Sequence, residues 1–374
     1  MYDLTIIGAG WAGYSAALRA KELGKNVCLI EKSDIGGTCL NRGCIPTKFL
    51  VHAAKQISSL KKPNSFGISV SSFNIDFKTT LNNKNELIKK LRASMENELK
   101  SKKIDVVKSL AKIISPNQIK LDSSLIETKN IIVATGSIPI ELPDLKFDGA
   151  KFISSDDLLN LDSIPKSLLI VGGGVIGCEF ATIFNSLGAN VTIVELLERI
   201  LPTEDREVSK KLELIFKKKG IVIHTGKRAQ DLNLDEFEKI LICVGRAPDT
   251  KDLGLDEIGV KKEKNRIVIN EFLETNVKGI YAAGDCIGGY QLAHVAAYEG
   301  RLTVNNIFGQ KEKTDYSAVP NAIFTDPEIA SIGLKEEEAK NRNIDIKIGK
   351  FSFLGLGLAH IIGQTDGFIK IIAD

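Results

Sequence analysis

The pattern of apolar and polar positions near the N-terminus predicts a strand, a glycine-rich turn, a helix and a second strand. The apolar run LTII precedes Gly8, Gly10 and Gly13, which stand in G-x-G-x-x-G spacing. A helical stretch follows, and the next apolar run, VCLI, ends at Glu31. Short apolar runs bounded by glycine are typical of buried strands in a parallel sheet, so this order predicts a βαβ unit.

The same pattern recurs 164 residues further along the chain. After the run LLIV come Gly172, Gly174 and Gly177, then a helical stretch and the strand VTIV, which ends at Glu195. Such glycines let the main chain approach a pyrophosphate, and the helix N-terminus supplies amide donors. The carboxylate at the end of the second strand accepts hydrogen bonds from ribose hydroxyls. The repeat therefore predicts an α/β protein with two Rossmann-like, dinucleotide-binding modules.

The second module carries a signal for its nucleotide. Because the Glu195 carboxylate would repel a 2′-phosphate, we expect this module to prefer NAD to NADP. Arg199 lies four residues further on and leaves NADP open as the alternative.

Charge and cysteine content narrow the function classes. The 374 residues include 50 basic and 47 acidic side chains, so charge gives no reason to expect nucleic acid or a membrane surface as partner. The first motif glycine is residue 8, which leaves no room for a cleaved leader and predicts a cytoplasmic protein. In that compartment the six cysteines are expected to remain thiols unless a disulfide has a function.

The segment GGTCLNRGCIPTK carries Cys39 and Cys44 with four residues between them. In a regular helix these positions lie ~140° apart around the axis and ~7.5 Å along it. That separation is too great for a disulfide, which needs Cα atoms within about 7 Å. Two ordinary thiols and a metal-binding pair stay open on this pattern, although a zinc site would need a second pair nearby.

The same segment resembles the redox-active segment of the flavoprotein disulfide reductases, and most closely their dihydrolipoamide dehydrogenase branch. The resemblance covers essentially the whole chain and includes the further motifs ATGS, VGGGVIGCE, CVGRAPDT, YAAGDCIGGYQLAHVAAYEG and TDPEIASIG. It implies FAD in the first module, NAD in the second, and a redox-active disulfide between Cys39 and Cys44. The implied reaction is oxidation of protein-bound dihydrolipoamide to lipoamide with reduction of NAD⁺.

The resemblance also implies roles for individual residues. Cys39 would be the interchange thiol that meets the substrate and Cys44 the thiol against the flavin, while Lys48 would stand beside the flavin, ion-paired with Glu179. Asp285 would bind the ribityl chain, and Ala111 and Ala293 are assigned by resemblance alone. The FAD-binding residues are Gly8, Gly10, Gly13, Glu31, Lys32, Gly37, Thr38, Lys48, Ala111, Ala134, Thr135, Gly136, Asp285 and Ala293. The NAD-binding residues are Gly172, Gly174, Val175, Ile176, Gly177, Glu195, Gly245 and Arg246.

The implied domains are an FAD-binding domain at 1–141 and 265–315, an NAD-binding domain at 142–264, and part of an α+β interface domain at 316–374. The interface domain implies a homodimer in the full-length form. The partners would be lipoyl domains of 2-oxo acid dehydrogenase or glycine-cleavage complexes.

The family's acid–base is a histidine and a glutamate in an H-P-x-x-x-E segment, which these 374 residues do not contain. His294 and Glu299 have the right separation, but they lie in another motif and no proline follows the histidine. We therefore expect a fragment that turns over lipoamide weakly or not at all. The alternatives are another disulfide or mercuric reductase, or a chain competent only for FAD and NAD(H) binding with diaphorase-type electron transfer.

Overall fold

The computed structural model describes residues 1–61, 66–309 and 311–374. The chain divides into two compact units. Unit 1 comprises Met1–Pro46, Asn85–Ile140 and Arg246–Tyr316, and unit 2 comprises Thr47–Lys84, Glu141–Gly245 and Ser317–Asp374.

The secondary structure alternates strands and helices along most of the chain. The α-helices are α1 (Trp11–Glu22), α2 (Gly37–Arg42), α3 (Cys44–Lys61), α4 (Phe77–Ser101), α5 (Ser155–Leu158), α6 (Val175–Leu187), α7 (Arg206–Lys218), α8 (Ala293–Phe308), α9 (Glu336–Asn341) and α10 (Gly357–Ile361). The strands are β1 (Leu4–Ile7), β2 (Val27–Glu31), β3 (Asp105–Lys108), β4 (Ala111–Ser115), β5 (Gln118–Leu121), β6 (Leu125–Glu127), β7 (Ile131–Val133), β8 (Ser137–Pro139), β9 (Phe152–Ile153), β10 (Ser167–Val171), β11 (Asn190–Glu195), β12 (Val222–Thr225), β13 (Lys239–Ile242), β14 (Arg246–Pro248), β15 (Lys262–Glu263), β16 (Arg266–Ile267), β17 (Ile280–Ala282), β18 (Asn321–Ile323), β19 (Ile329–Ser331), β20 (Lys347–Ser352) and β21 (Phe368–Ala373).

Unit 1 is built on a parallel sheet with the strand order β17-β7-β1-β2-β3. Strand β1 lies at its centre, and all four of its residues are buried. A strand that is covered on both faces favours apolar side chains, which explains Leu4, Ile6 and Ile7, while Thr5 is a buried polar residue among them. The predicted strand–turn–helix–strand order is confirmed, because α1 follows β1 and leads to β2.

Unit 2 repeats this arrangement with the parallel order β12-β11-β10-β13-β9. Strand β10 is again central, α6 follows it, and β11 ends at Glu195. A glycine ends each helix, Gly24 in the first copy and Gly188 in the second, and both adopt a left-handed conformation (φ +71° and +102°). The internal repeat predicted from the sequence is therefore present in both units.

Smaller antiparallel elements complete each unit. Unit 1 contains the three-stranded sheet β4-β5-β6 and the pairs β14–β8 and β15–β16. Unit 2 contains the pairs β18–β19 and β20–β21, and every residue of β20 is exposed. Within the described residues, no helix combines the length and apolar character needed to cross a bilayer.

The third glycine of each motif permits the first turn of the helix to contact the preceding turn. A Cβ atom at Gly13 would lie 1.8 Å from the carbonyl oxygen of Gly8, and one at Gly177 would lie 2.0 Å from that of Gly172. Both contacts are with main chain, which cannot move aside as a flexible side chain can. By contrast, a Cβ at Gly174 has no neighbour within 4 Å.

These contacts predict opposite outcomes for two alanine substitutions in one turn. We expect Gly177→Ala to lower the free energy of unfolding by about 1–3 kcal/mol or more, because the added methyl group overpacks the turn. Gly174→Ala should change stability by less than about 1 kcal/mol, the helix-propensity range. Urea unfolding of both variants measures the difference; equal stabilities would contradict this account of the turn.

Candidate active site

The two motif glutamates make the same hydrogen bonds in their two units. Glu31 accepts from the backbone N–H of Ala9 at 2.7 Å and of Ser33 at 2.8 Å. Glu195 accepts from Gly173 at 2.7 Å and from Leu197 at 2.8 Å. Each carboxylate is thereby fixed at the end of its strand and beside its glycine turn, where a ribose bound to that turn would lie.

Each glycine turn has the form of a dinucleotide cradle. Gly10 and Gly174 precede α1 and α6 in extended conformation, and no side chain caps either helix. The amide groups of a helix N-terminus attract phosphate, and the missing Cβ atoms leave room for its close approach. One turn lies in each unit, so the residues present fit one dinucleotide per unit.

The cysteine segment packs directly on the first glycine turn. The backbone N–H of Gly36 donates to the carbonyl of Ala9 at 2.9 Å. A Cβ at Gly37 would lie 2.7 Å from the Cα of Gly10, and both Gly36 (φ +97°) and Gly37 (φ +57°) adopt left-handed conformations. Glycine is therefore required here twice, for the turn and for the contact between two main chains.

The geometry that brings the two cysteines together is a break between two helices. Cys39 lies in α2 and Cys44 begins α3, while Gly43 between them is far from helical dihedral angles (φ −142°, ψ −110°). The two thiols are within hydrogen-bonding range of each other. The two sulfurs are not bonded to each other in the structure, and the disulfide between them stays a prediction.

The environment of Cys39 disfavours its thiolate. The hydrogen bond with the Cys44 side chain is the largest cause of a raised pKa for Cys39, and burial is the second. The indole N–H of Trp11 approaches the same sulfur without reaching full hydrogen-bond geometry and acts in the opposite direction, as a smaller effect.

The ion pair predicted between Lys48 and Glu179 is present in unit 2. The Lys48 ammonium lies 2.9 Å and 3.0 Å from the two carboxylate oxygens. The Glu179 side chain is only 6% exposed, and it also accepts from the backbone N–H of Phe324 at 2.9 Å. A buried carboxylate needs such donors, and these two supply them.

Three predicted segments of unit 1 meet through one serine that the sequence analysis did not assign. Ser137 donates to Asp285 Oδ2 at 2.5 Å, and Arg246 Nε donates to the Ser137 hydroxyl at 2.8 Å. A second guanidinium nitrogen of Arg246 donates to the Ser137 carbonyl at 2.6 Å. The expected contact of Arg246 with the nicotinamide cofactor stays a prediction.

Most of the remaining predicted residues lie at or near the ends of elements, whereas Glu299, which the sequence does not assign to the site, lies within α8. Lys32 is ion-paired with Asp249 at 2.7 Å, and Glu299 accepts from Gly284 and Tyr316, each at 2.7 Å. The others are Thr38 in α2, Ala111 at the start of β4, Ala134, Thr135 and Gly136 after β7, Ala293 at the start of α8, Val175 and Ile176 in the first turn of α6, and Gly245 (φ +130°) before β14. Phe324, which contacts the Lys48–Glu179 pair, was missed, and its only signal is its place before TDPEIASIG.

Two family profiles match the chain. Residues 2–300 match "Pyridine nucleotide-disulphide oxidoreductase", and residues 319–374 match the dimerisation domain of the same family. Two curated relatives are both called dihydrolipoyl dehydrogenase. The one from Bacillus subtilis is 37% identical over 100% of this chain and 86% of its own length, and the one from Chlamydia pneumoniae is 39% identical over 100% and 84%.

Solved structures with the same fold are also found. The HOCl-induced flavoprotein disulfide reductase RclA from Escherichia coli superimposes with a TM-score of 0.88 at 30% identity, over 100% of this chain and 87% of that one. LpdA from Mycobacterium tuberculosis gives a TM-score of 0.90 at 27% identity, over 99% and 86%.

Two dinucleotide cradles and a thiol pair packed on one of them define a class of protein, the oxidoreductases that pass electrons between dithiols and nucleotide cofactors. Within that class, this chain belongs to the pyridine nucleotide-disulphide oxidoreductase family. FAD and NAD(H) are the cofactors of this family, and the sequence-based prediction of both is confirmed.

The raised pKa of Cys39 predicts slow alkylation of the reduced protein. Because the thiolate is the reactive form, iodoacetamide should modify Cys39 more slowly at pH 7–8 than it modifies a free cysteine of pKa about 8.5. The rate should climb as the pH rises. Cys44→Ala removes the largest cause of the shift and should accelerate the reaction, whereas Cys28→Ala, in buried strand β2, should not. Peptide mass spectrometry follows Cys39; a rate unaffected by Cys44→Ala would contradict the assignment.

Proposed function

We propose that this protein oxidises protein-bound dihydrolipoamide to lipoamide and reduces NAD⁺, through FAD and the Cys39–Cys44 pair. The observation that carries the proposal is the meeting of the two thiols where Gly37 contacts Gly10 of the first cradle. The names of the curated relatives support the same substrate.

Thiol–disulfide exchange gives each cysteine a distinct task. In the oxidised protein, one substrate thiolate attacks the Cys39 sulfur and displaces Cys44 as a thiolate. The second substrate thiol then displaces Cys39, so that lipoamide leaves and both cysteines are reduced. FAD, when bound, would supply the two-electron acceptor that the reduced cysteine pair needs and the hydride donor that NAD⁺ needs. The sum is dihydrolipoamide plus NAD⁺ giving lipoamide, NADH and one proton.

The charged and polar residues hold the cofactors in place. The first glycine turn and Glu31 bind FAD, and Asp285 binds its ribityl chain, with the other FAD-binding residues as assigned above. Lys48, paired with Glu179, would supply a positive charge beside the flavin, as the family resemblance implies. The second glycine turn and Glu195 bind NAD, and the carboxylate disfavours NADP.

Domain roles follow from the same assignment. Residues 1–141 with 265–315 form the FAD domain, 142–264 the NAD domain, and 316–374 the interface segment. The match of 319–374 to a dimerisation domain supports a homodimer. Lipoyl domains of 2-oxo acid dehydrogenase or glycine-cleavage complexes are the proposed partners, and the proposed location is the cytoplasm.

Two activities of the purified holoprotein test the proposal. We expect at most slow reduction of NAD⁺ by dihydrolipoamide, because the H-P-x-x-x-E acid–base segment is not among these residues. NADH oxidation by an artificial acceptor, which needs FAD but not the cysteines, should be faster. Cys39→Ser should abolish the first activity and retain the second, because serine cannot form the mixed disulfide. Cys28→Ala serves as the matched control and should retain both.

Substrate competition separates the rival enzymes of the family. Glutathione disulfide or Hg²⁺ with NADPH should give slower turnover than dihydrolipoamide with NAD⁺. Faster reduction of either one, or lipoamide turnover that survives Cys39→Ser, would overturn the proposed function.

A further inference from the structure

The Lys48–Glu179 pair has a third member, which touches both charges. The backbone N–H of Phe324 donates to Glu179 Oε1 at 2.9 Å. The ring of the same residue faces the Lys48 ammonium, whose Nζ lies 4.4 Å from the ring centroid. One residue thus binds the carboxylate with its main chain and the ammonium with its side chain.

The position of Phe324 is fixed by contacts on both sides of it along the chain. Asn321 in β18 donates to Glu204 at 2.8 Å. Thr325 is fully buried, and its hydroxyl donates to the Pro327 carbonyl at 2.6 Å. Lys219 donates to the backbone carbonyl of Asp326 at 2.6 Å and is ion-paired with its carboxylate. The segment after β18 is therefore anchored independently of Lys48.

The anchored ring of Phe324 restricts the movement of the Lys48 side chain. Lysine carries its charge on a flexible four-carbon stem, and the Lys48 side chain is 32% exposed. The Glu179 carboxylate fixes the ammonium from one side and the negative face of the aromatic ring fixes it from another. Because Phe324 also donates to Glu179, displacement of this residue would disturb both contacts at once.

We propose that Phe324 is a positioning residue. Through it, the segment that matches the dimerisation domain, residues 319–374, holds the Lys48 ammonium in place for the redox reaction. The inference rests on the proposed function only in its last step, the effect of Lys48 on the flavin. Phe324 itself is assigned no contact with substrate or cofactor.

The contact itself is tested without any activity measurement. Protons on the Lys48 ε-carbon should show an upfield ring-current shift in the NMR spectrum of the isotope-labelled holoprotein. Phe324→Leu should remove the shift and Phe324→Tyr should keep it. A wild-type spectrum without the shift would overturn the inference at its first step.

The effect on the reaction is tested in the same variants. In Phe324→Leu, loss of the ring should lower the kcat of NAD⁺ reduction by dihydrolipoamide about fivefold, as expected for a cation–π contact near a partly buried charge. The KM for NAD⁺ should stay within about twofold. The flavin midpoint potential should fall, because a less firmly held cation stabilises the reduced flavin less. Phe324→Tyr should stay close to wild type.

Two controls separate electrostatics from packing. Phe308 lies under Lys25 at 4.7 Å, so Phe308→Leu removes a similar contact that the proposed reaction does not use. Stepwise ring fluorination of Phe324 weakens the negative face while nearly preserving the shape, so kcat and the potential should fall with each fluorine.

The outcomes are distinct. The positioning role would be overturned if kcat and the flavin midpoint potential did not change with fluorination of Phe324. It would also be overturned if Phe308→Leu changed them as much as Phe324→Leu does. Failure of the wild-type protein to bind FAD, or to pass electrons from NADH to an artificial acceptor, would refute the proposed function and the flavin step with it. In that case the ring-current result still decides whether Phe324 holds Lys48.

Discussion

The constraint on which the site depends is the close approach of main chain to main chain at glycine positions. Gly13 and Gly177 bring a helix onto its own turn, and Gly37 brings the cysteine segment onto Gly10. No side chain could occupy these points, since Cβ atoms would fall 1.8–2.7 Å from backbone atoms. The contact between Gly37 and Gly10 also places the thiol pair beside the first cradle.

Hydrogen bonds from backbone N–H groups hold the three carboxylates of the two units that matter here, Glu31, Glu195 and Glu179. Glu31 and Glu195 accept hydrogen bonds from the backbone amides of their own turns, and these bonds fix each carboxylate beside its cradle. Glu179 differs, because it is buried and depends on Lys48 and on the Phe324 amide. Desolvation makes the loss of either donor costly, so residue 324 contributes to holding this buried carboxylate.

The two dinucleotide-binding modules could be predicted from the sequence, because each is encoded in a local pattern of residues. The runs LTII and LLIV, the glycine spacing and the terminal glutamates predicted both modules, and the family resemblance supplied the Lys48–Glu179 pair. The bonds of Ser137 to Arg246 and Asp285 could not be predicted, because they join positions 109 and 148 residues apart in the chain. The ring of Phe324 under Lys48 could not be predicted either, because an apolar residue after a strand ordinarily indicates core packing.

The most direct test of the central claim is a titration of the FAD-loaded protein with two electrons in the absence of oxygen. If Cys44 lies against the flavin, the reduced cysteine pair should give a long-wavelength absorption band from a thiolate in contact with oxidised flavin, and Cys44→Ser should remove it. Direct bleaching of the flavin without such a band, in a protein whose thiols remain titratable, would contradict a redox-active cysteine pair coupled to FAD.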